Sequence, residues 1–287
     1  MILDAHCHLG FAVDAVRAAD DLAAWGVRCF SNTVEPAEYE RLIEELGAHS
    51  NVRVGVGLHP WWVLDGTCGE DDVTRFEHVV QRARFVGEIG LDFGKRFDQA
   101  TPARQRLMTF AFDRAIAACA KPCAEGGCRR AVSLHSVRAA SRVLDVLEQT
   151  GCASSQVCIL HWFSGTSDEL HRAKQMGCWF SVSMRMLETR RGREYVKAMP
   201  LDRLLLETDE PAASGAMVDA RRHADTLAHT ASEIARVGGC SEQAVLAATL
   251  AFEREFFDNF PMTTPWLQKN CISADSLKEV HGCLCDN

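Results

Sequence analysis

The 287-residue chain has no run of 18 or more apolar residues, which argues against a helical membrane span. It opens with no basic stretch and no signal-peptide core; the N-terminus runs straight into a strand-like segment. No Gly-x-Gly-x-x-Gly turn follows that segment, so the dinucleotide-binding architecture is disfavoured. Basic charge is also in short supply. Lys and Arg number 31 against 39 Asp and Glu, a net charge of −8. That excludes a protein that coats nucleic acid by charge alone, though not a phosphodiesterase whose cationic character comes from bound metal. Internal repeats and low-complexity tracts are missing too.

Cysteine, by contrast, is abundant. The thirteen residues are odd in number and form no compact framework, and with no signal peptide most are expected to be reduced thiols of a cytoplasmic protein. Cys119, Cys123 and Cys128 could join Cys271, Cys283 and Cys285 in a structural zinc site. Their spacing matches no common finger, so loose or buried thiols are the default.

Strand-like and helix-like stretches alternate almost throughout. Strands are expected at Ile2–His8, Val27–Thr33, Val52–His59, Phe85–Leu91, Ala131–His135, Val157–His161, Cys178–Val182 and Leu204–Glu207. They are short and apolar, as strands covered on both faces should be. Helical spacing fills Asp14–Trp25, Ala37–His49, Asp72–Ala83, Ala103–Lys121, Ser136–Gln149 and Asp168–Met176. Eight such units predict an α/β fold of the TIM (β/α)8-barrel type. Asp219–Val237 and Glu242–Phe257 read as two amphipathic helices on the barrel wall. The expected division is a barrel over residues 1–260 and a surface tail over 261–287.

The reactive side chains fall at the C-terminal ends of these strands, the face on which barrel enzymes build their sites. In Asp4-Ala-His6-Cys-His8, alternation places Asp4, His6 and His8 on one face. Alone, the two histidines read equally well as ordinary half-buried residues. His59, Glu88, His135 and His161 end four later strands, and Asp209 follows the eighth. Imidazoles and carboxylates converging on one mouth suit a pair of divalent cations, with the metal site at the C-terminal ends of the strands. Glu88 has the two oxygens a bridge needs. Such a set favours zinc, manganese or iron over calcium, and magnesium stays among the candidates.

Taken together, Asp4-x-His6-x-His8, Gly-Leu-His59-Pro, Gly87-Glu88-Ile-Gly-Leu-Asp92, Leu-His135-Ser, His161-x-Phe-Ser-Gly and Glu207-Thr-Asp209-x-Pro resemble the TatD-related deoxyribonucleases of the amidohydrolase superfamily. The resemblance covers about residues 1–257. It implies a TIM barrel and metal-dependent hydrolysis of phosphodiesters in DNA or a small substrate. It also implies that His6, His8, Glu88 and Asp209 hold one ion, and that Glu88, His135 and His161 hold the second. Three stretches depart from the family pattern. Ala212-Ala213-Ser214-Gly215 replaces an aromatic and a leucine, Trp61-Trp62 is bulky, and 123–128 lengthens a connection.

The expected mechanism has metal-activated water attack phosphorus, with Asp209 as general base and Glu88 serving both ions. His59 would donate a hydrogen bond to the phosphate, or else is a core histidine held by the Pro60 turn. Asp4, Asp92 and Glu207 are candidates to orient ligands, and equally ordinary structural carboxylates. Trp61, Trp62, Trp162 and Phe163 could stack on a base, although packing is the commoner role for such residues. The same barrel could instead hydrolyse an amide, lactone or phosphotriester, or serve as an inactive binding protein.

Overall fold

The computed structural model describes residues 1–124 and 127–258. Eight parallel strands follow one another around a single sheet in chain order. They are β1 (Ile2–Cys7), β2 (Val27–Asn32), β3 (Val52–Leu58), β4 (Phe85–Asp92), β5 (Ala131–Val137), β6 (Val157–His161), β7 (Trp179–Val182) and β8 (Leu204–Leu206). Past the end of β8 the chain returns to β1. The Asp209 N–H donates to the His6 carbonyl at 2.9 Å, and the His8 N–H donates to the Glu210 carbonyl at 3.0 Å. These two bonds bring the barrel nearly to closure.

Helices fill the connections. In the first half they are α1 (Ala15–Ala24), α2 (Pro36–Leu46), α3 (Pro60–Asp65), α4 (Glu70–Val79), α5 (Lys95–Gln99) and α6 (Pro102–Ala120). The second half has α7 (Ala140–Thr150), α8 (Cys152–Ser155), α9 (Ser167–Gln175), α10 (Met184–Glu188), α11 (Arg190–Ala198), α12 (Ala220–Gly238) and α13 (Glu242–Glu253). Their starts follow from local chemistry. Asp14, Thr101, Thr166 and Asp219 each accept an N–H of the first turn, and Pro36, Pro60 and Pro102 occupy first-turn positions where no N–H is needed.

Two local expectations change. The helix expected from Ser136 begins at Ala140, because Ser136 and Val137 stay in the sheet opposite Leu91 and Asp92. In addition, the link between β7 and β8, for which no helix bounds were set, holds two helices, α10 and α11.

Two apolar layers hold the fold. The larger lies between sheet and helices; the smaller fills the barrel, with Leu3, Ala5, Phe30, Phe85, Ile159 and Leu205 among its members. Phe252, Phe256 and Phe257 belong to that inner layer, so residues 252–257 plug the barrel floor instead of lying on its wall. Arginines from the starts of the strands lock the plug. Arg53 and Arg84 lie 4.8 Å from the ring centres of Phe257 and Phe256, and donate to the carbonyls of Phe257 and Glu255. The expected tail, 261–287, lies outside the described residues.

The parity of β1 also differs from simple alternation. The register to β2 shifts between Asp4 and Cys7. Leu3 and Ala5 face the barrel interior, whereas Cys7 packs in the outer layer. The shift turns Asp4 away from His6 and His8. Its carboxylate reaches Nε2 of His223 on α12 at 2.6 Å and the Thr208 hydroxyl at 2.6 Å.

Arg130 is fully buried, and its guanidinium makes no ion pair among the described residues. Its guanidinium instead donates to the carbonyls of Val80, Gln81, Ala83, Cys119 and Lys121, the frayed ends of α4 and α6. Arg130→Met strands those acceptors, so it should cost about 3 kcal/mol or more in urea unfolding. A loss below about 1 kcal/mol would show that the acceptors find other partners.

Candidate metal centre

Six side chains from six places in the sequence meet at the C-terminal mouth of the barrel around the buried carboxylate of Glu88. Oε2 of Glu88 lies 3.4 Å from Nε2 of His6 and 3.4 Å from Nε2 of His8. Oε1 lies 2.7 Å from Nδ1 of His135, 2.9 Å from Nε2 of His161 and 3.3 Å from Nε2 of His59. Asp209 Oδ1 is 3.3 Å from His8 Nε2 and 3.7 Å from His6 Nε2. The groups His6–Glu88–His161, His6–His8–Asp209 and His59–Glu88–His135 each bring three donor atoms within 4.8 Å of one another. Nitrogen and carboxylate donors in this arrangement could hold divalent metal.

The far side of each ring decides what the near side can do. His8 Nδ1 lies 3.1 Å from the Asn32 carbonyl, so Nδ1 carries a proton and Nε2 is the atom turned toward Glu88 and Asp209. His135 Nε2 lies 3.2 Å from Asp92 Oδ2, which leaves Nδ1 as the inward atom. His6 Nδ1 meets the Ser133 hydroxyl at 2.7 Å. His161 Nδ1 is a buried atom without a hydrogen bond, 3.8 Å from Glu207 Oε2. His59 is different. Its Nδ1 accepts the Trp61 N–H, and burial lowers its pKa. A neutral ring whose Nδ1 accepts must carry its proton on Nε2, so in this arrangement His59 is a donor facing Glu88.

Two residues of the mouth hold left-handed backbone, Trp162 at φ 39° and Asp209 at φ 57°. Each such residue costs about 1–3 kcal/mol and needs surrounding support. Glu207 accepts the Trp162 N–H at 3.1 Å, and the His6 carbonyl accepts that of Asp209. The Asp4 carboxylate takes the N–H groups of both His6 and Thr208 at 3.1 Å. Asp4 thus orients backbone and holds His223, not an imidazole of the cluster around Glu88. Asp92 does orient a ring, and it also accepts Trp61 Nε1 at 2.5 Å.

Above the site opens a cleft of about 490 Å³ whose lining includes Phe11, Trp61, Trp62, Trp162, Arg185 and Ala212. Phe11 extends a stack from His8 at 5.2 Å to Trp62 at 6.0 Å. Phe163 takes no part in it. It is buried at 1% exposure against Phe180 and Tyr195, so it offers no face to a base.

Comparison with known proteins agrees with this geometry. The profile of the family described as TatD related DNase matches residues 3–258. The chain belongs to the TatD-related DNases. Its relatives include the human protein named deoxyribonuclease TATDN3, 27% identical over 86% of this chain and 91% of that one. A second, named 3'-5' ssDNA/RNA exonuclease TatD from Edwardsiella piscicida, is 34% identical over 54% of this chain and 56% of that one. The crystal structure of the TatD homologue YJJV from Escherichia coli K12 superposes with a TM-score of 0.70 at 21% identity. It covers 91% of this chain and 98% of the other, and shares the barrel.

Ala212, one of the residues that departs from the resemblance, lines the cleft. Sequence reading alone missed Ser133, Asn32, Thr208 and His223 as supports, and Ser181, whose hydroxyl donates to Glu207 Oε2. Thr208 stood inside the Glu-Thr-Asp motif; the others carry no local signal.

The cysteines add no donors to the site. No disulfide joins the ten described cysteines, and no metal-holding group among the described residues contains one. The proposed zinc partners Cys271, Cys283 and Cys285 lie outside the described residues.

The protons are held unequally. Burial and the neighbouring His161 push His6 down to about 4. Burial opposes charge on His8 and His161 as well, yet Asp209 and Glu88 raise His8 to about 10, and Glu88 raises His161 to about 9. Burial works against ionised Glu88, but the imidazoles, His59 and His161 first, hold its pKa well below the usual range. A raised histidine stabilises fully below about pH 6.5 and ceases to do so as pH climbs through its folded value. The chelator-treated protein should therefore lose melting temperature between pH 7 and 10. Glu88→Gln should flatten that decline. An equal decline in both would mean that the cluster does not cause it.

Proposed function

We propose that this chain hydrolyses phosphodiester bonds at the ends of single-stranded nucleic acid, using two divalent ions shared across Glu88. The observation that carries this is the division of the Glu88 carboxylate. One oxygen faces His6 and His8, and the other faces His135 and His161. His6, His8, Glu88 and Asp209 would hold one ion; Glu88, His135 and His161 would hold the other. Zinc, manganese and magnesium all suit the donors. When bound, the ions supply Lewis acidity, acidifying water and neutralising phosphate charge.

The chain's own groups do the rest. Asp209, held down to about 2 by His8 and the other imidazoles against the effect of burial, stays ionised and can accept a proton from attacking water. His59 presents Nε2–H to a phosphate oxygen. Asn32, Asp92 and Ser133 hold ligand rings in the tautomer and tilt that the site needs. Trp61, Trp62 and Trp162 offer faces on which terminal bases can stack. The narrow mouth and net charge of −8 favour strand ends over internal sites in a duplex. In keeping with a cytoplasmic setting, the described thiols are unbridged. No helix among the described residues is long and apolar enough to cross a membrane.

Two outcomes test the assignment. Glu88→Ala should abolish hydrolysis, a loss of about a thousandfold or more, whereas His59→Ala should cost about ten- to a hundredfold. Equal losses would mean that the two roles are wrongly divided. On substrates, end-labelled linear DNA should be degraded while closed circles survive. Efficient nicking of closed circles would contradict end-directed action.

A further inference from the structure

Of the described side chains that line the cleft, Arg185 alone is a lysine or arginine. It sits on α10 with its guanidinium 5.9 Å from the Trp162 ring, bonded to Glu210 at 2.6 Å. Arginine and glutamate are 43% and 45% exposed, so exchanging Glu210 for another anion costs little. The preceding residue, Met184, faces a second, open groove of about 530 Å³ lined also by Arg221, Arg222, Asp225 and His229 of α12. One turn of α10 therefore walls both cavities, and both α10 and α11 pack on α12.

The groove's charges are incompletely matched. Arg221 lies 3.7 Å from Asp225, and the Asp219 carboxylate is taken by the backbone N–H of Arg222. The guanidinium of Arg222 makes no ion pair among the described residues. In a chain of net charge −8, attraction for a polyanion must be local. Arg96 flanks the cleft at Trp61, 4.4 Å from its ring, while on the Trp162 side cations run from Arg185 on to Arg221 and Arg222.

We propose that a single strand of nucleic acid leaves the cleft past Trp162 and Arg185 and continues over α10 into the α12 groove, where Arg221 and Arg222 meet its phosphates. This rests on the nuclease reading and adds a length preference to it. Bases near the cleft stack on indole, while phosphates farther along supply the salt-dependent part of binding.

The test compares a dinucleotide with a single-stranded DNA of about twenty nucleotides over a salt series, for wild type, R221A/R222A, the charge reversal R222E and a control R75A/R114A. The control arginines are exposed and lie on α4 and α6, away from both cavities. R221A/R222A should lower kcat/KM on the long strand about tenfold more than on the dinucleotide and reduce the log–log salt slope by about 1.4, since each phosphate contact contributes about 0.7 on single strands. R222E should widen the difference, and the control should leave it unchanged. Wild-type ratios and slopes in the groove variants, or equal effects in the control, would overturn the track while the nuclease reading stands. Wild-type protein that cleaves neither substrate would overturn both.

Discussion

One buried carboxylate governs the mouth of this barrel. Glu88 sits at 2% exposure with five imidazoles around its two oxygens, and an ionised acid in that position is tolerable only because those rings answer it. Four of the rings are in turn fixed from behind by a different element: His6 by Ser133 from β5, His8 by the Asn32 carbonyl from β2, His135 by Asp92 from β4, and His59 by the Trp61 N–H from α3. The strands therefore do more than display ligands. For His8 and His135 the support comes from the adjacent strand and for His6 from β5 across the barrel, so these rings are tied to the sheet itself.

The closure of the barrel and the placement of Asp209 are one event. No β8–β1 ladder forms; the chain just past β8 bonds to His6 and His8 instead, while Asp4 gathers the N–H groups of His6 and Thr208. His223 fastens Asp4 from α12. A strained Asp209 is thus delivered beside His8 by the contacts that end the sheet. The phenylalanine plug closes the opposite end.

Much of this was legible before any coordinates. Eight short apolar strands with acid or imidazole at their ends announce a barrel and its active face, since strand ends share one rim whatever the details of packing. His6, His8, Glu88, His135, His161 and Asp209 all meet as that logic requires. Three things were not legible, each for a physical reason. The parity of Asp4 depends on a register shift against β2, which alternation cannot foresee. Phe163 looked available next to Trp162, but only the packing of Phe180 and Tyr195 shows it buried. His223 and Arg130 bond across 219 and up to 50 residues of sequence, so no local pattern marks them.

The division of Glu88 between two sets of imidazoles is the claim on which the functional reading stands. Anomalous diffraction from crystals soaked in manganese or zinc tests it most directly. The account predicts two ions flanking the Glu88 carboxylate, one beside His6, His8 and Asp209 and the other beside His135 and His161, with His59 outside both coordination shells. A single ion, or ions that leave one Glu88 oxygen without a metal, would contradict it.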